Sequence, residues 1–311
     1  MSKAIREAYG EALAEFGGKN ENVVVLDADV SGSTKSAMFA KVAPERFFNV
    51  GIAEANMAAM AGGLASVGKI PFINSFAVFL TSNSLCSLRS LASYSELPIK
   101  IAGAYAGMSD AFDGPSHHAL EDIAVMRTLP NVEVYAPCDE RQTKWLVKYA
   151  IETPKPMYLR LSRDVFPDIY EEGTEFAPGK GSIVREGKDA TVMACGLMVG
   201  NAIKAADILE EQGISLRVVD MFSIKPIDRS LIIKCAAETG AIISAEEHSI
   251  YGGLGGAVAE VLAEANCKVP MGFVGVNDMH GECGPYKKLQ EKYGFDANTV
   301  VDKVLETLKR K

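Results

Sequence analysis

Several features that mark common protein classes are missing from this sequence of 311 residues. No stretch approaches the roughly eighteen uninterrupted apolar residues that a membrane-spanning helix needs. The six cysteines lie far apart and include no Cys-x-x-Cys pair, so the sequence indicates neither a zinc site nor a disulfide framework. We expect free thiols in a reducing compartment.

Nucleotide-binding patterns are also incomplete. None of the four Gly-Lys pairs is followed by Ser or Thr, which argues against a P-loop NTPase. In the glycine-rich run 252–256, the last glycine of a dinucleotide fingerprint would fall at Val258. We therefore interpret this run as a tight turn that packs a helix closely against a sheet.

The charge is moderate and evenly spread. The net charge is −8, and 48% of the residues are hydrophobic, as in globular proteins. This balance argues against nucleic acid or a membrane as a partner and favours small metabolites or other proteins. The first residues lack the apolar core of a secretory signal and include Glu7, which a transit peptide would avoid. We expect a cytoplasmic location.

The chain alternates short apolar runs with helical periodicity, which predicts an α/β protein with parallel sheets covered on both faces. We predict two doubly wound domains, residues 1–175 and 190–311, joined by a linker at 176–189 that is rich in Gly and Pro. The predicted strands are 23–26, 70–73, 99–104, 158–161, 191–194, 215–219, 241–245 and 272–276, and the main helices of the first domain are 4–16, 53–66 and 81–94.

The segment 51–65 is small and apolar all round and carries a single carboxylate, Glu54. Such a composition predicts a buried helix. Glu54 could merely favour the positive end of the helix dipole. Alternatively, a carboxylate in apolar surroundings can hold or share a proton near neutrality, which is useful in catalysis.

Three further segments carry candidate site residues. Phe76 and Phe79 are predicted to end a strand where a flat heterocycle could stack, although core packing would explain them nearly as well. A Gly-Pro turn at 113–118 displays Asp113 and His117. Arg163 leaves a strand end with a guanidinium suited to a phosphate or carboxylate, with an exposed ion pair as the alternative.

Together these segments resemble the carboxyl-terminal half of transketolase, in the split form that is encoded as two chains. The first motif alone would fix only a superfamily that also includes deoxyxylulose phosphate synthase and the beta subunit of pyruvate dehydrogenase. The set as a whole indicates transketolase. The matching motifs lie at residues 51–65, 75–79, 113–117, 224–228 and 245–255.

The resemblance implies a pyrimidine-binding domain followed by a transketolase C-terminal domain, and it assigns roles to individual residues. Glu54 matches the catalytic glutamate that hydrogen-bonds the aminopyrimidine of thiamine diphosphate, and His117 matches a catalytic and substrate-binding histidine. The other implied cofactor-binding positions are Phe76, Phe79 and Ser82, and the other implied substrate-binding positions are Arg6, Ser33, Asp113 and Arg163.

Three positions depart from the family pattern. Ser82 replaces a usual tyrosine in the wall of the pyrimidine pocket, and Tyr105 replaces a histidine of full-length transketolases. The usual Gly-Glu before Asp-Gly-Pro is Ala111-Phe112. These departures concern the sugar more than the chemistry at the cofactor.

The family's Gly-Asp-Gly and Asn-Asn pattern for magnesium and diphosphate is absent. The resemblance therefore implies that an N-terminal transketolase subunit holds the diphosphate and Mg²⁺ or Ca²⁺, with two copies of each chain in a heterotetramer. It also implies a structural and dimer-supporting role for the second domain. Glu246, Glu247 and His248 look chemical, but an interface or strand-end network is the preferred interpretation.

The expected function is transfer of a two-carbon ketol unit from a ketose phosphate to an aldose, in complex with the partner. Decarboxylating chemistry, as in deoxyxylulose phosphate synthase or an oxo-acid dehydrogenase, is a second enzymatic possibility. A non-catalytic assembly subunit is a third, which the intact Glu54, Phe79 and His117 disfavour.

Overall fold

The computed structural model describes residues 3–311, which form two sheets flanked by helices. The predicted α/β class with two parallel-sheet domains is confirmed. The strands are β1 Val23–Asp27, β2 Phe47–Asn49, β3 Ile70–Phe76, β4 Lys100–Ala104, β5 Glu133–Tyr135, β6 Met157–Leu161, β7 Ser182–Arg185, β8 Ala190–Ala194, β9 Leu216–Asp220, β10 Ser223–Lys225, β11 Ile242–Ser249 and β12 Met271–Val276.

Helices connect the strands. Those of the first domain are α1 Ile5–Ala12, α2 Ser31–Thr34, α3 Ala37–Val42, α4 Glu54–Ser66, α5 Ala77–Ser82, α6 Leu85–Leu88, α7 Asp122–Thr128 and α8 Glu140–Glu152, with π-helical turns at Leu13–Gly17 and Arg89–Tyr94 and a 3₁₀ turn at Pro44–Arg46. Those of the second domain are α9 Leu197–Glu210, α10 Arg229–Thr239, α11 Leu254–Glu264, α12 Tyr286–Tyr293 and α13 Ala297–Leu308. No helix within residues 3–311 is long and apolar enough to cross a membrane.

The first sheet has seven strands in the order β10-β5-β6-β4-β3-β1-β2. All its neighbouring pairs are parallel except β10 with β5. Every residue of β1, β4 and β6 is buried, as expected for strands covered on both faces. In such a sheet, ligands bind outside the carboxyl ends of the strands. The residues that follow β1, β3, β4 and β6 are therefore the candidates for a ligand-binding site.

The second sheet has five strands in the order β12-β11-β8-β9-β7. Strand β7 is antiparallel to β9 and lies within the segment 176–189, which the sequence predicted to be a linker. That part of the linker prediction is corrected, because β7 belongs to the second sheet. The four residues of β7 are only half-buried, and the strand includes the polar residues Ser182 and Arg185. It therefore has no continuous apolar run of the kind by which the predicted strands were recognised.

The two domains share a strand and a core. Strand β10 follows β9 in the chain but pairs with β5 of the first sheet. One apolar cluster includes Leu26 and Ile123 of the first domain together with Met193 and Val219 of the second. The domains are thus joined by main-chain hydrogen bonds and by buried apolar contacts.

Two local predictions were wrong. The first sheet's strand β3 ends at Phe76, and Phe79 lies on helix α5, so the two aromatics are not on one face of a strand. Strand β4 pairs with β3 only as far as Phe76, and the chain turns into a helix where no strand partner remains. The predicted helix 81–94 is broken into α5, α6 and a π-helical turn.

Candidate active site

Glu54 is the first residue of helix α4, and its side chain is buried. Ser75, near the end of β3, donates a hydrogen bond from Oγ to Glu54 Oε1 at 3.1 Å. Asn83 Nδ2 lies 3.5 Å from Oε2. A negative side chain is favourable at a helix N-terminus, where main-chain N–H groups lack partners. The site therefore fixes one carboxylate at the carboxyl edge of the first sheet.

Helix α4 is not buried all round, which corrects the prediction from its composition. Its inward face contains Glu54, Met57, Ala58 and Ala61. Its outward face is exposed in the isolated chain and includes Met60, which is 39% exposed. The apolar composition of α4 would be explained if another chain covered the outward face.

An aromatic group adjoins the glutamate. The ring of Phe76 lies with its centroid 4.5 Å from that of Tyr105 and 6.0 Å from that of Phe79. The imidazole of His117 contacts both phenylalanines, at centroid distances of 5.8 Å from Phe76 and 5.2 Å from Phe79. Asn83 connects these rings to Glu54, because it stands one helical turn after Phe79 at the end of α5 and its amide lies 3.5 Å from Glu54 Oε2.

Two guanidinium groups converge on Tyr105. Arg6 Nη1 donates to Tyr105 Oη at 2.6 Å and to the main-chain oxygen of Ser33 at 2.8 Å. The Cζ atoms of Arg6 and Arg163 lie 5.0 Å and 5.2 Å from the centre of the Tyr105 ring. Tyr105 has a φ of +59°, a left-handed conformation that is rare for an aromatic residue. Such strain persists only where the surroundings enforce it.

The segment that carries Ser33 is held by Asp27 at the end of β1. Its carboxylate accepts hydrogen bonds from Val30 N–H at 2.7 Å and from the hydroxyls of Thr34 and Ser36, both at 2.8 Å. Burial raises the pKa of Asp27 above its usual value, although these hydrogen bonds oppose the shift. Asp27 thus fixes the segment that presents the main-chain oxygen of Ser33 to Arg6.

Carboxylates lie beside Arg163. Asp110 is fully buried, and its Oδ1 is 3.0 Å from Arg163 Nη1. Burial, followed by the neighbouring Asp113 carboxylate, raises the pKa of Asp110 to about 6, against the opposing charges of Arg163 and His117. Asp113 itself is exposed. Asp110 can therefore hold a proton at mildly acidic pH.

The structure brings together most of the residues chosen from the sequence. Arg6, Ser33, Phe76, Phe79, His117 and Arg163 are linked through contacts that involve Tyr105 or the phenylalanine rings. Asp113 joins this group only through Asp110. Ser82 is exposed, and its hydroxyl donates to the main-chain oxygen of Val78 at 2.6 Å, which leaves its cofactor role a prediction.

Three residues of the site, Ser75, Asn83 and Asp110, were not identified from the sequence, and Tyr105 was noted only as a departure from the family pattern. Ser75 and Tyr105 could have been found from their position, because each stands at or just after the carboxyl end of a strand. Asp110 and Asn83 lie in irregular segments, and no sequence pattern marks which way their side chains turn.

The acidic run 246–248 forms a buried network, as preferred from the sequence. Glu246 accepts hydrogen bonds from Leu254 N–H at 2.7 Å and Gly255 N–H at 2.8 Å. A Cβ atom at Gly253 would overlap its carboxylate. The glycine-rich N-terminus of α11 is therefore filled by a side chain of the same chain, which explains the glycines without a dinucleotide.

Glu247 should make the stability of the chain depend on pH. Burial raises its pKa to about 7, from an ordinary value of 4.5. The folded state therefore holds a proton that the unfolded state has lost between these values, and stability falls as the pH rises from about 4.5 to 7. Glu247→Gln should remove this fall, which amounts to on the order of 3 kcal/mol. Denaturant unfolding of the wild type and of Glu247→Gln at pH 5 and pH 8 measures this difference in the free energy of unfolding. The same pH dependence in both proteins would contradict the prediction.

The fold and the site define a chain of two α/β domains, with a candidate site at the carboxyl edge of the first sheet. Residues 1–168 match the family model described as "Transketolase, pyrimidine binding domain", and residues 179–300 match "Transketolase, C-terminal domain". The chain belongs to the transketolase family, and within it to the subunits of the split type.

Relatives with similar length support this assignment. A protein of Methanocaldococcus jannaschii, provisionally named a transketolase C-terminal section, is 44% identical over 99% of this chain and 97% of the relative. The 6-deoxy-6-sulfo-D-fructose transketolase subunit of Clostridium sp. (strain MSTE9) is 39% identical over 99% of this chain and 95% of the relative. A solved structure described as "Split gene transketolase, inactive beta4 tetramer" is 50% identical, with a TM-score of 0.92 and 98% of both chains covered.

The residues present fit the pyrimidine end of the cofactor that the family implies. Glu54 offers a buried carboxylate whose Oε2 has only one long contact, to Asn83 at 3.5 Å. Asn83 lies one helical turn after Phe79 and connects this carboxylate to the group of rings that includes Phe76, against which an aromatic heterocycle could stack. Within residues 3–311, no group of three or more His, Cys, Asp or Glu side chains is arranged to hold a metal ion.

Proposed function

We propose that this chain is the C-terminal subunit of a two-chain transketolase, which transfers a two-carbon ketol unit from a ketose phosphate to an aldose with thiamine diphosphate. The observation that carries the proposal is the buried carboxylate of Glu54, which Asn83 connects to the helix that carries Phe79. The aromatic group that includes Phe79 extends to Tyr105, on which two guanidinium groups converge. When bound, thiamine diphosphate supplies the carbon nucleophile that cleaves and forms carbon–carbon bonds.

Each part of the site would have its own task. Glu54 hydrogen-bonds the pyrimidine and holds or shares a proton there. Phe76 and Phe79 provide the apolar wall and exclude water. His117 and Asp113 meet the sugar hydroxyls.

The terminal anion of the sugar would bind at Arg6 and Arg163. Both guanidinium groups reach Tyr105, and planar guanidinium groups bind tetrahedral anions well. The relative from Clostridium is named for a sulfonated sugar. A sugar phosphate is our first choice of substrate, and a sugar sulfonate is the natural second substrate to test.

A partner chain would complete the site. The partner is an N-terminal subunit that holds the diphosphate and Mg²⁺ or Ca²⁺, and it would lie against the exposed outward face of α4. The similar protein of known structure is described as a beta4 tetramer that is inactive. This description supports self-association of the present chain and activity only in a heteromeric complex.

Donor specificity tests the proposal. The chain is combined with its N-terminal partner, thiamine diphosphate and Mg²⁺, and ketol transfer is compared with ketose phosphate or pyruvate as donor. We expect transfer from the ketose phosphate, none from pyruvate, and no activity of either chain alone. Turnover of pyruvate with release of carbon dioxide would favour the decarboxylating alternative, and full activity of the partner alone would favour an assembly subunit.

A further inference from the structure

A closed loop of the first domain carries two of the sugar-binding candidates, Asp113 and His117. Residues 107–119 begin and end on paired main-chain hydrogen bonds, from Gly107 N–H to Ala119 O at 3.1 Å and from Ala119 N–H to Gly107 O at 2.9 Å. Between these ends lie Asp110, Asp113 and His117. The position of these three side chains therefore depends on what holds the loop as a whole.

The second domain holds this loop through Glu247. Glu247 Oε1 accepts a hydrogen bond from Met108 N–H at 2.8 Å and another from Tyr286 Oη at 2.7 Å. A Cβ atom at Gly107, where φ is +66°, would overlap the carboxyl group of Glu247. The approach is so close that only glycine fits at the base of the loop.

A second contact of the same domain touches the tip of the loop. Gly284 N–H donates to the main-chain oxygen of Ala111 at 3.0 Å. A Cβ atom at Gly114 would overlap the sulfur of Cys283. The loop is thus fixed from the second domain at its base and at its tip, and its exposed residues are left free to face a substrate.

Within residues 3–311, no Lys, Arg or His side chain forms an ion pair with the Glu247 carboxylate. The nearest guanidinium, that of Arg160, donates at 2.8 Å to the main-chain oxygen of Glu247 and forms its ion pair with Asp122. The other groups that act on this carboxylate are the Tyr286 hydroxyl, which donates to it, and the Asp122 carboxylate, whose charge adds to the effect of burial in raising its pKa. Glu246 and His248 lie together against Gly253 instead. Glu247 is therefore a buried acid whose hydrogen-bond donors, among the residues that the structure describes, are both neutral.

We propose that Glu247 is a positioning residue of the sugar site: from the second domain, it holds the loop 107–119 so that Asp113 and His117 reach the substrate. This inference rests on the proposed function for the identity of the substrate. It gives the second domain a part in substrate binding in addition to a structural one.

The test uses the assembled two-chain enzyme at pH 8. Glu247→Ala should raise the KM for the ketose phosphate about tenfold with little change in kcat, because the loss falls on binding. Glu247→Gln should stay near the wild-type KM, since one amide oxygen can accept both hydrogen bonds. Tyr286→Phe should give an intermediate KM. Hydrogen exchange at the Met108 amide should be faster in Glu247→Ala and unchanged in Glu247→Gln.

Glu260→Ala is the matched control, because it breaks an exposed contact between the domains, Arg127 Nη2 to Glu260 Oε2 at 2.7 Å, away from the loop. We expect an unchanged KM. An equal rise in KM in Glu260→Ala would overturn the proposal in favour of general domain docking. A wild-type KM and Met108 exchange rate in Glu247→Ala would also overturn it. If the wild-type complex transfers no ketol unit, the proposed function fails, while Met108 exchange still tests the positioning by Glu247.

Discussion

Glu54→Gln, tested in the complex with the N-terminal partner, is expected to lower the rate of ketol transfer by at least about a hundredfold, and Glu54→Ala by at least as much. A positioned acid–base group typically contributes a factor of roughly 10² to 10⁴. Glutamine keeps the shape of the side chain and its bond from Ser75, but it cannot hold a transferable proton. The fold-decrease in the rate of ketol transfer should therefore exceed any fold-decrease in affinity for thiamine diphosphate.

The folded state should survive this change, because Glu54 forms no ion pair within the described residues 3–311 and a neutral side chain is easier to bury. Circular dichroism and gel filtration with the partner check folding and assembly. Glu45→Gln is the control, since the Glu45 side chain is 69% exposed and pairs only with Arg46. Near-normal turnover of Glu54→Gln would remove the central residue of the proposed mechanism.

The first domain was largely predictable because its strands are buried on both faces and so appear as continuous apolar runs. The same logic missed four short strands, β2, β5, β7 and β10. Each has only three or four residues, too few for a recognisable apolar run, and β2, β7 and β10 lie at sheet edges. Short edge strands are fixed by the neighbours that they pair with, and a local pattern does not contain that information.

The candidate site was likewise predictable from the sequence only in part. Glu54 could be chosen from the sequence because it is the single carboxylate of a small, apolar segment, and Arg163 because it follows the end of a buried strand. The burial of α4 could not be read correctly, since composition does not distinguish a face covered by the same chain from one covered by another. Phe79 shows a third case, because its place depends on where β3 loses its strand partner and the chain turns into α5.

The domain interface contains the group with the largest expected effect on stability. Arg160 Nε lies 2.8 Å from Asp122 Oδ2 and Nη2 lies 3.2 Å from Oδ1, while Tyr158 Oη donates to Oδ2 at 2.7 Å. Asp122 is fully buried. Burial would raise its pKa, but attraction to Arg160 and these hydrogen bonds outweigh burial, and the net pKa lies below the usual value. This contribution to stability is present above the unfolded pKa of roughly 4 and is lost as the pH falls further.

Arg160→Met should lower the free energy of unfolding by about 3 to 5 kcal/mol, because it leaves the Asp122 carboxylate buried without its cation. The double variant Asp122→Asn with Arg160→Met should recover much of this loss, since it buries no charge at all. Denaturant unfolding at pH 7 measures the free energy of unfolding of the wild type, the single variant and the double variant.

The comparison separates the value of the ion pair from the cost of an unpaired charge. Lys288→Ala provides a control for ion pairs in general, because the Lys288 and Glu291 side chains are 72% and 41% exposed and such pairs contribute at most about 1 kcal/mol. If Arg160→Met costs no more than Lys288→Ala, water must reach Asp122 and the interface is looser than its geometry indicates. If the double variant is as unstable as Arg160→Met, the loss arises from the packing and main-chain bonds of Arg160, including its bond to Glu247 O at 2.8 Å, instead of from charge.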